Sequence, residues 1–184
     1  MCCFPYILNL WWCVFYNLKI FVMIEDTNKL YDTAIFGSIL NINYINKSSN
    51  PDPIYTDGNS GFDLRANLSE QLIIPSMERR LVLTGLFFEI PLEYELQIRA
   101  RSGLALKNGI MVLNGPGTVD SSYRNEIGVI LYNTDKNDFI INHGDRIAQG
   151  VICQVQQKTN TNLTKVDSLN ESDRKGGFGS SGIK

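Results

Sequence analysis

The residues best suited to chemistry fall in four short polar groups, each at the end of an apolar run or in a turn. In Gly61-Phe62-Asp63-Leu64-Arg65-Ala66 a single carboxylate, Asp63, sits between apolar neighbours. Such an aspartate either fixes a turn by accepting from backbone amides, its commoner use, or faces a ligand. Arg101-Ser102-Gly103 opens the one helical stretch of the sequence. The first turn of a helix leaves N–H groups unpaired, and a guanidinium and a hydroxyl beside them suit a phosphate. A plain N-cap followed by a surface arginine accounts for the same residues equally well.

The third group, NGPGTVDSSYRNEIG from Asn114 to Gly128, begins with the punctuated turn Asn114-Gly115-Pro116-Gly117. Val119-Asp120 and Tyr123-Arg124 can then fold back as a hairpin. Backbone exposed there can read the edge of a base, and Tyr123 can lie flat under a sugar; an ordinary β-hairpin is the default for these residues alone. The fourth group is Arg174-Lys175-Gly176-Gly177-Phe178-Gly179-Ser180. Glycines let backbone amides approach phosphates closely, but no Gly-Lys-Ser/Thr is present, which excludes a P-loop. Glycine and serine by themselves describe a disordered tail, whereas Arg174 and Phe178 favour a lid over a ligand.

Other reactive side chains fit structural roles. His143, beside Gly144-Asp145, reads as a turn residue and Cys153, in an apolar strand, as core. Glu126 can pair with Arg124 or with a neighbouring subunit. Of four cysteines, Cys2, Cys3 and Cys13 lie in the first thirteen residues. That is no disulfide framework, and with one histidine there is no zinc ligand set, so any metal must be bound through oxygen. A net charge of −2 removes the basic field that direct nucleic acid binding needs.

With 184 residues, 43% hydrophobic and 20% charged, the chain can bury one core with extensions. From about residue 39 the apolar period is two. Leu40, Ile42 and Tyr44 alternate with asparagines as in a half-buried strand, and Arg80 to Ile90 is apolar on both faces, as in one buried strand. Tyr94, Leu96, Ile98 and Ala100 face one way while Glu95, Gln97, Arg99 and Arg101 face the other. Ser102 to Asn108 is a two-turn helix with Ser102 placed to cap its start and Gly109 its end. Ile127 to Asn133 and Arg146 to Val155 are further strands. The pattern predicts an all-β, jelly-roll-like sandwich or barrel with one short helix.

The predicted domain spans 39–157. Residues 1–38 form an apolar extension and linker, and 158–184 a flexible, glycine-rich C-terminal arm. Met1 to Met23 carries only Lys19 as a charge and just reaches bilayer length. It lacks the basic start and small-residue cleavage pattern of a signal peptide, and Pro5, Asn9 and Asn17 weaken a spanning helix. A membrane anchor, a disordered or locally packed extension, and upstream sequence before an initiator at Met23 all fit, the last best. A cytoplasmic protein is expected unless residues 1–23 are retained at a membrane.

Taken in order, the four groups together with Gly144-Asp145-Arg146-Ile147-Ala148-Gln149 closely resemble the five motifs of the trimeric dUTPases, over roughly residues 39–184. The resemblance implies a jelly-roll subunit, a homotrimer with shared active sites, and Mg2+-dependent hydrolysis of dUTP to dUMP and pyrophosphate. By that resemblance Asp63 orients the magnesium through water, Arg101, Ser102 and Gly103 bind phosphate, and the Ser102 hydroxyl lies at the oxygen bridging the α and β phosphates. Asn114 and the backbone around Thr118, Val119 and Gly128 read uracil. Asp120 holds the 3′-hydroxyl and the attacking water, Tyr123 rejects a 2′-hydroxyl, and Gln149 lies near the phosphates. Arg174 reaches the γ-phosphate, and Phe178 with Gly179 closes over the base.

The sequence departs from the common pattern at Ala100, Gly115 and Asn125, where proline, serine and glycine are usual, and its tail is one residue shorter between Arg174 and Phe178. None of these removes a reacting group. Two other readings of the same residues are the dCTP deaminase branch of the fold, and a non-catalytic module that binds nucleotide or a protein partner. Tyr123 and the Phe178 tail argue against the first, and the presence of Asp63 and Asp120 against the second.

Overall fold

The computed structural model describes residues 39–173, and its compact unit begins at Ile42. In chain order the elements are β1 (Asn43–Asn46), β2 (Phe62–Arg65), β3 (Leu72–Ile74), β4 (Arg79–Leu83), β5 (Leu86–Glu89) and β6 (Tyr94–Arg99). After helix α1 (Ser102–Asn108) come β7 (Ile110–Val112), β8 (Gly117–Val119), β9 (Gly128–Asn133), β10 (Phe139–Ile141) and β11 (Arg146–Gln154). A four-stranded sheet runs β2-β11-β6-β8, a three-stranded sheet runs β4-β9-β7, and β1-β5 and β3-β10 form pairs, all antiparallel. Among the described residues this is the all-β, jelly-roll-like arrangement with one short helix that the strand pattern predicts.

Alternation builds the core. Leu64, Leu96 and Ile98 point inward from the four-stranded sheet, and Val82, Val129, Leu131 and Ile110 from the three-stranded one. Each large side chain buried this way contributes about 1.5–3 kcal/mol. Close strand packing also requires glycine at 150, where a Cβ would lie 2.7 Å from two carbons of the Phe62 ring.

Several local expectations change. The run from Arg80 to Ile90 is two strands in different sheets, because the chain bends at Thr84-Gly85. Gly85 has φ +73°, and a Cβ there would meet Ser48 Cβ at 2.7 Å, so the bend is specific to glycine. The run is not buried on both faces either, since Leu81 is 60% exposed. The first strand starts later than the alternation from Leu40 suggests, at Asn43, and its residues lie near the surface because it pairs only with β5. Val119-Asp120 and Tyr123-Arg124 do not form a hairpin: β8 pairs with β6, and β9 belongs to the other sheet.

Helix α1 keeps its expected limits, and Gly109 ends it in the left-handed conformation with its N–H donating to Ala105 O. The start differs. Arg101 is the N-cap and Ser102 the first helical residue, with no side-chain cap hydrogen bond. Ala100 is exposed rather than inward-facing. Residues 158–173 contain no helix or strand and are exposed. Among the described residues no helix is long and apolar enough to cross a membrane. The apolar segment 1–23 lies outside the described residues.

Candidate active site

The four-stranded sheet assembles a cluster of arginines around one carboxylate. Gln149 of β11 stands opposite Asp63 of β2 on one side and Arg99 of β6 on the other. These residues form one row across three strands. Just beyond β6, Arg101 places its Nε 3.3 Å from Asp63 Oδ1, and its Nη1 donates to Arg146 O at 3.1 Å. The Nε–H does not point along the hydrogen-bonding direction to the carboxylate, so this buried donor has no hydrogen-bond partner. Arg146 Nη1 donates to Asp63 Oδ2 at 3.4 Å. Asp63 therefore carries two arginines, not the backbone amides of a turn.

A register shift in β11 between Arg146 and Ala148 produces this convergence. Ile147 and Ala148 are both buried, so Arg146 and Gln149 emerge on the same outer face although they are three residues apart. A cavity of about 330 Å³ opens beside Asp63 and Gln149 and is walled by Thr56, Asn59 and Ser60. A Cβ added at Gly103 would meet no atom within 4 Å, so the first turn of α1 borders open space.

The second group of expected site residues lies along β8 and the loop after it. Gly117, Thr118 and Val119 pair with Ile98, Gln97 and Leu96, and a Cβ on Gly117 would come within 3.3 Å of Asn114 Nδ2. Asp120 begins a tight turn in which Tyr123 N–H donates to Asp120 O at 3.0 Å. The Tyr123 phenol donates to Glu126 O at 3.0 Å. Gly128 opens β9 opposite Leu83, where a Cβ would strike Leu81 Cδ1 at 2.7 Å.

Each group is internally close, but the two are well separated in one chain. Asp63 and the β8 edge are three strands apart, and Asp120 lies four rows along from the Asp63–Gln149–Arg99 row. With strands about 4.8 Å apart and residues about 3.3 Å along a strand, the two carboxylates are roughly 20 Å apart. Arg174, Phe178 and Gly179 lie outside the described residues.

Sequence reasoning gave Arg146 no role, although it is the second cation on Asp63; the register shift that aims it has no simple signature in residue type. Glu126 does not pair with Arg124: its Oε1 accepts from Gly85 N–H at 2.7 Å. Cys153 is half-buried on the outer sheet face rather than in the core, with Arg99 Nη2 3.4 Å from its sulfur. His143 is the turn residue expected, its ring bonded to Ser49 Oγ and to the Leu68 amide.

Among the described residues no three His, Cys, Asp or Glu side chains converge as a metal cage. The cluster instead offers one partly exposed carboxylate among cations. Both Asp63 oxygens face arginines, so the protein alone offers no ligand cage, and an ion such as Mg2+ would have to take its direct ligands from water and substrate phosphates.

The dUTPase family model matches residues 50–182. The chain is 52% identical over 129 residues to the deoxyuridine 5′-triphosphate nucleotidohydrolase of Treponema denticola, covering 70% of this chain and 88% of that one. It is 43% identical over 145 residues to the protein of the same name from Finegoldia magna, covering 78% and 99%. In fold it resembles the dUTPase of Staphylococcus bacteriophage 80alpha, solved with dUpNHpp, with a TM-score of 0.68, 21% identity and coverage of 78% and 99%. The phage phi11 dUTPase, whose structure concerns coordination of a structural Mg(II) ion, aligns with a TM-score of 0.63 at 19% identity over 72% of this chain and 100% of that one. The chain belongs to the dUTPase family.

Proposed function

We propose that this enzyme hydrolyses dUTP to dUMP and pyrophosphate, limiting uracil in DNA and supplying dUMP for thymidylate synthesis. The observation that carries the reading is the Asp63–Arg101–Arg146–Gln149 cluster: arginines around one carboxylate beside a polar cavity, next to the open first turn of a helix. A triphosphate brings several negative charges, and Mg2+ bound there would neutralise part of them. Asp63 would hold that ion through water. Arg101 and the Gly103 amide bind the phosphates, Ser102 lies at the α–β bridging oxygen, and Gln149 bonds a phosphate oxygen.

Asp120 holds the attacking water and accepts its proton as the new O–P bond forms at the α-phosphorus. The bond to the bridging oxygen breaks and pyrophosphate leaves. Asn114 and the backbone of Thr118, Val119 and Gly128 read uracil, while Tyr123 lies against the deoxyribose. Arg174 meets the γ-phosphate and Phe178 with Gly179 covers the base.

A substrate cannot touch Asp63 and Asp120 of one copy when they are roughly 20 Å apart. The active unit therefore contains more than one copy, and we read it as the homotrimer that the family resemblance implies, with sites at its seams. The outer face of β4-β9-β7 supports this. Leu81, Ile130 and Leu113 form one row, and Tyr132 and Met111 part of the next. Leu81, Leu83, Met111 and Leu113 are all substantially exposed. A sheet face this apolar departs from the usual polar exterior and suits a covering copy. The protein acts in the cytoplasm.

Pyrophosphate release from dUTP, dCTP and UTP, each with Mg2+, tests the reading. Fast release from dUTP alone is expected. Ammonia from dCTP would replace it with a deaminase, and tight dUTP binding without turnover would replace it with a nucleotide-binding module.

A further inference from the structure

Asparagine is a thermolabile residue, and the sequence sets it before glycine in two places, Asn108-Gly109 and Asn114-Gly115. In such a pair the glycine nitrogen, with no side chain beside it, can attack the asparagine Cγ. The nitrogen gives up its proton, the new N–Cγ bond closes a succinimide ring, and the Cγ–Nδ2 bond breaks with loss of ammonia. Water then opens the ring to aspartate or isoaspartate. An amide has become a carboxylate, with nothing oxidised or reduced.

The structure treats the two pairs differently. Asn108 ends α1, and the Gly109 N–H is shared between Ala105 O and Leu104 O while its carbonyl accepts from both Thr134 N–H and Thr134 Oγ1. Turning that nitrogen toward Asn108 Cγ would dismantle the helix cap. Asn114 and Gly115 are both exposed, and among the described residues no hydrogen bond holds the Asn114 carboxamide. The Gly115 N–H makes a single bond, to Val112 O at 3.0 Å, across a turn open to solvent. Freeing this nitrogen takes only a local opening of that turn. A Cβ at 115 would lie 2.9 Å from Val112 O, so the turn favours glycine over the serine usual in the family, and glycine leaves Asn114 open to attack.

We propose that Asn114-Gly115 is a deamidation site whose reaction shuts the enzyme down with age and which bound nucleotide protects. The loss of activity rests on the reading of Asn114 as the side chain that faces uracil; the modification itself does not. A carboxamide both donates and accepts, as the uracil edge requires, whereas a carboxylate only accepts and repels the uracil carbonyls. With uracil seated, the carboxamide is held away from the Gly115 nitrogen.

The test ages the full chain at mildly acidic and at alkaline pH, with and without Mg2+ and dUpNHpp, and follows ammonia, peptide masses and kcat/KM for dUTP. Conversion should appear first at Asn114, faster in alkali because the attacking nitrogen must shed its proton, with Asn108 unchanged. Activity should fall in step, and dUpNHpp should slow both. An Asn114→Asp protein should show the end point, kcat/KM for dUTP lowered ~10–100-fold, the equivalent of one or two hydrogen bonds. Conversion at Asn108 before Asn114, an Asn114 still intact after other asparagines have reacted, or near-normal activity in Asn114→Asp would overturn the proposal. So would an unchanged rate at Asn114 with dUpNHpp bound to an enzyme that is active when fresh. A fresh wild-type protein that does not hydrolyse dUTP would overturn the functional reading instead, and the mass of the Asn114 peptide would still decide the modification.

Discussion

Leu81→Glu should separate the copies while leaving each one folded. Leu81 projects from the outer face of β4 and is 60% exposed in a single chain. Full burial of leucine is worth ~1.5–3 kcal/mol, so covering the exposed part at a seam contributes ~1–2 kcal/mol. A glutamate there forfeits that gain and in addition strips water from a carboxylate against an apolar partner, a penalty of several kcal/mol. The sum, ~5 kcal/mol per seam, weakens association by ~10³–10⁴-fold. In an isolated chain the same position faces water, and the substitution should change folding stability by less than ~1 kcal/mol. Sedimentation at micromolar concentration should show monomers, circular dichroism a native spectrum, and pyrophosphate assays almost no turnover. Ile73→Glu is the control, on β3 and also exposed, and should remain trimeric. A trimeric, fully active Leu81→Glu protein would refute the assignment of this face, and a monomeric, fully active one the inference from the separated carboxylates.

Three further outcomes follow from the same geometry. Asp120→Asn should bind dUTP within about threefold of wild type by calorimetry, while kcat falls ~10²–10⁴-fold; near-normal turnover would remove Asp120 as the proton acceptor. Arg146→Ala removes one of the two cations on Asp63, and because that pair is half exposed the melting temperature should hardly move while KM for dUTP rises. An unchanged KM would leave Arg146 outside the site. Gly85→Ala combines a left-handed φ with a clash at Ser48 and should cost ~2–3 kcal/mol in urea denaturation; a loss below ~0.5 kcal/mol would mean that the bend relaxes freely.

The strand pattern and the order of the motifs made most of this legible in sequence. Alternation through Tyr94–Arg99 and the Gly109 stop are decided by neighbours in the chain, and both elements appear where residue type puts them. What escaped depends on partners far away in sequence. The break at Thr84-Gly85 is imposed by packing against Ser48, and an apolar run has no mark that distinguishes one buried strand from two joined at a corner. Leu81 and Leu113 are apolar yet exposed on the outer sheet face, so hydrophobicity alone wrongly places β4 in the interior. Likewise the aim of Arg146 comes from a one-residue shift against β2, and Glu126 finds its acceptor role only once a bend 41 residues earlier is in place.

That bend joins two properties that are usually free to vary apart. A corner holding two sheets together also anchors the loop that carries Tyr123, so mutational drift around Ser48, Gly85 or Glu126 would reach that loop even where the protein still folds. Variants that survive by loosening this hinge would be expected to shift the Tyr123 loop well before they unfold.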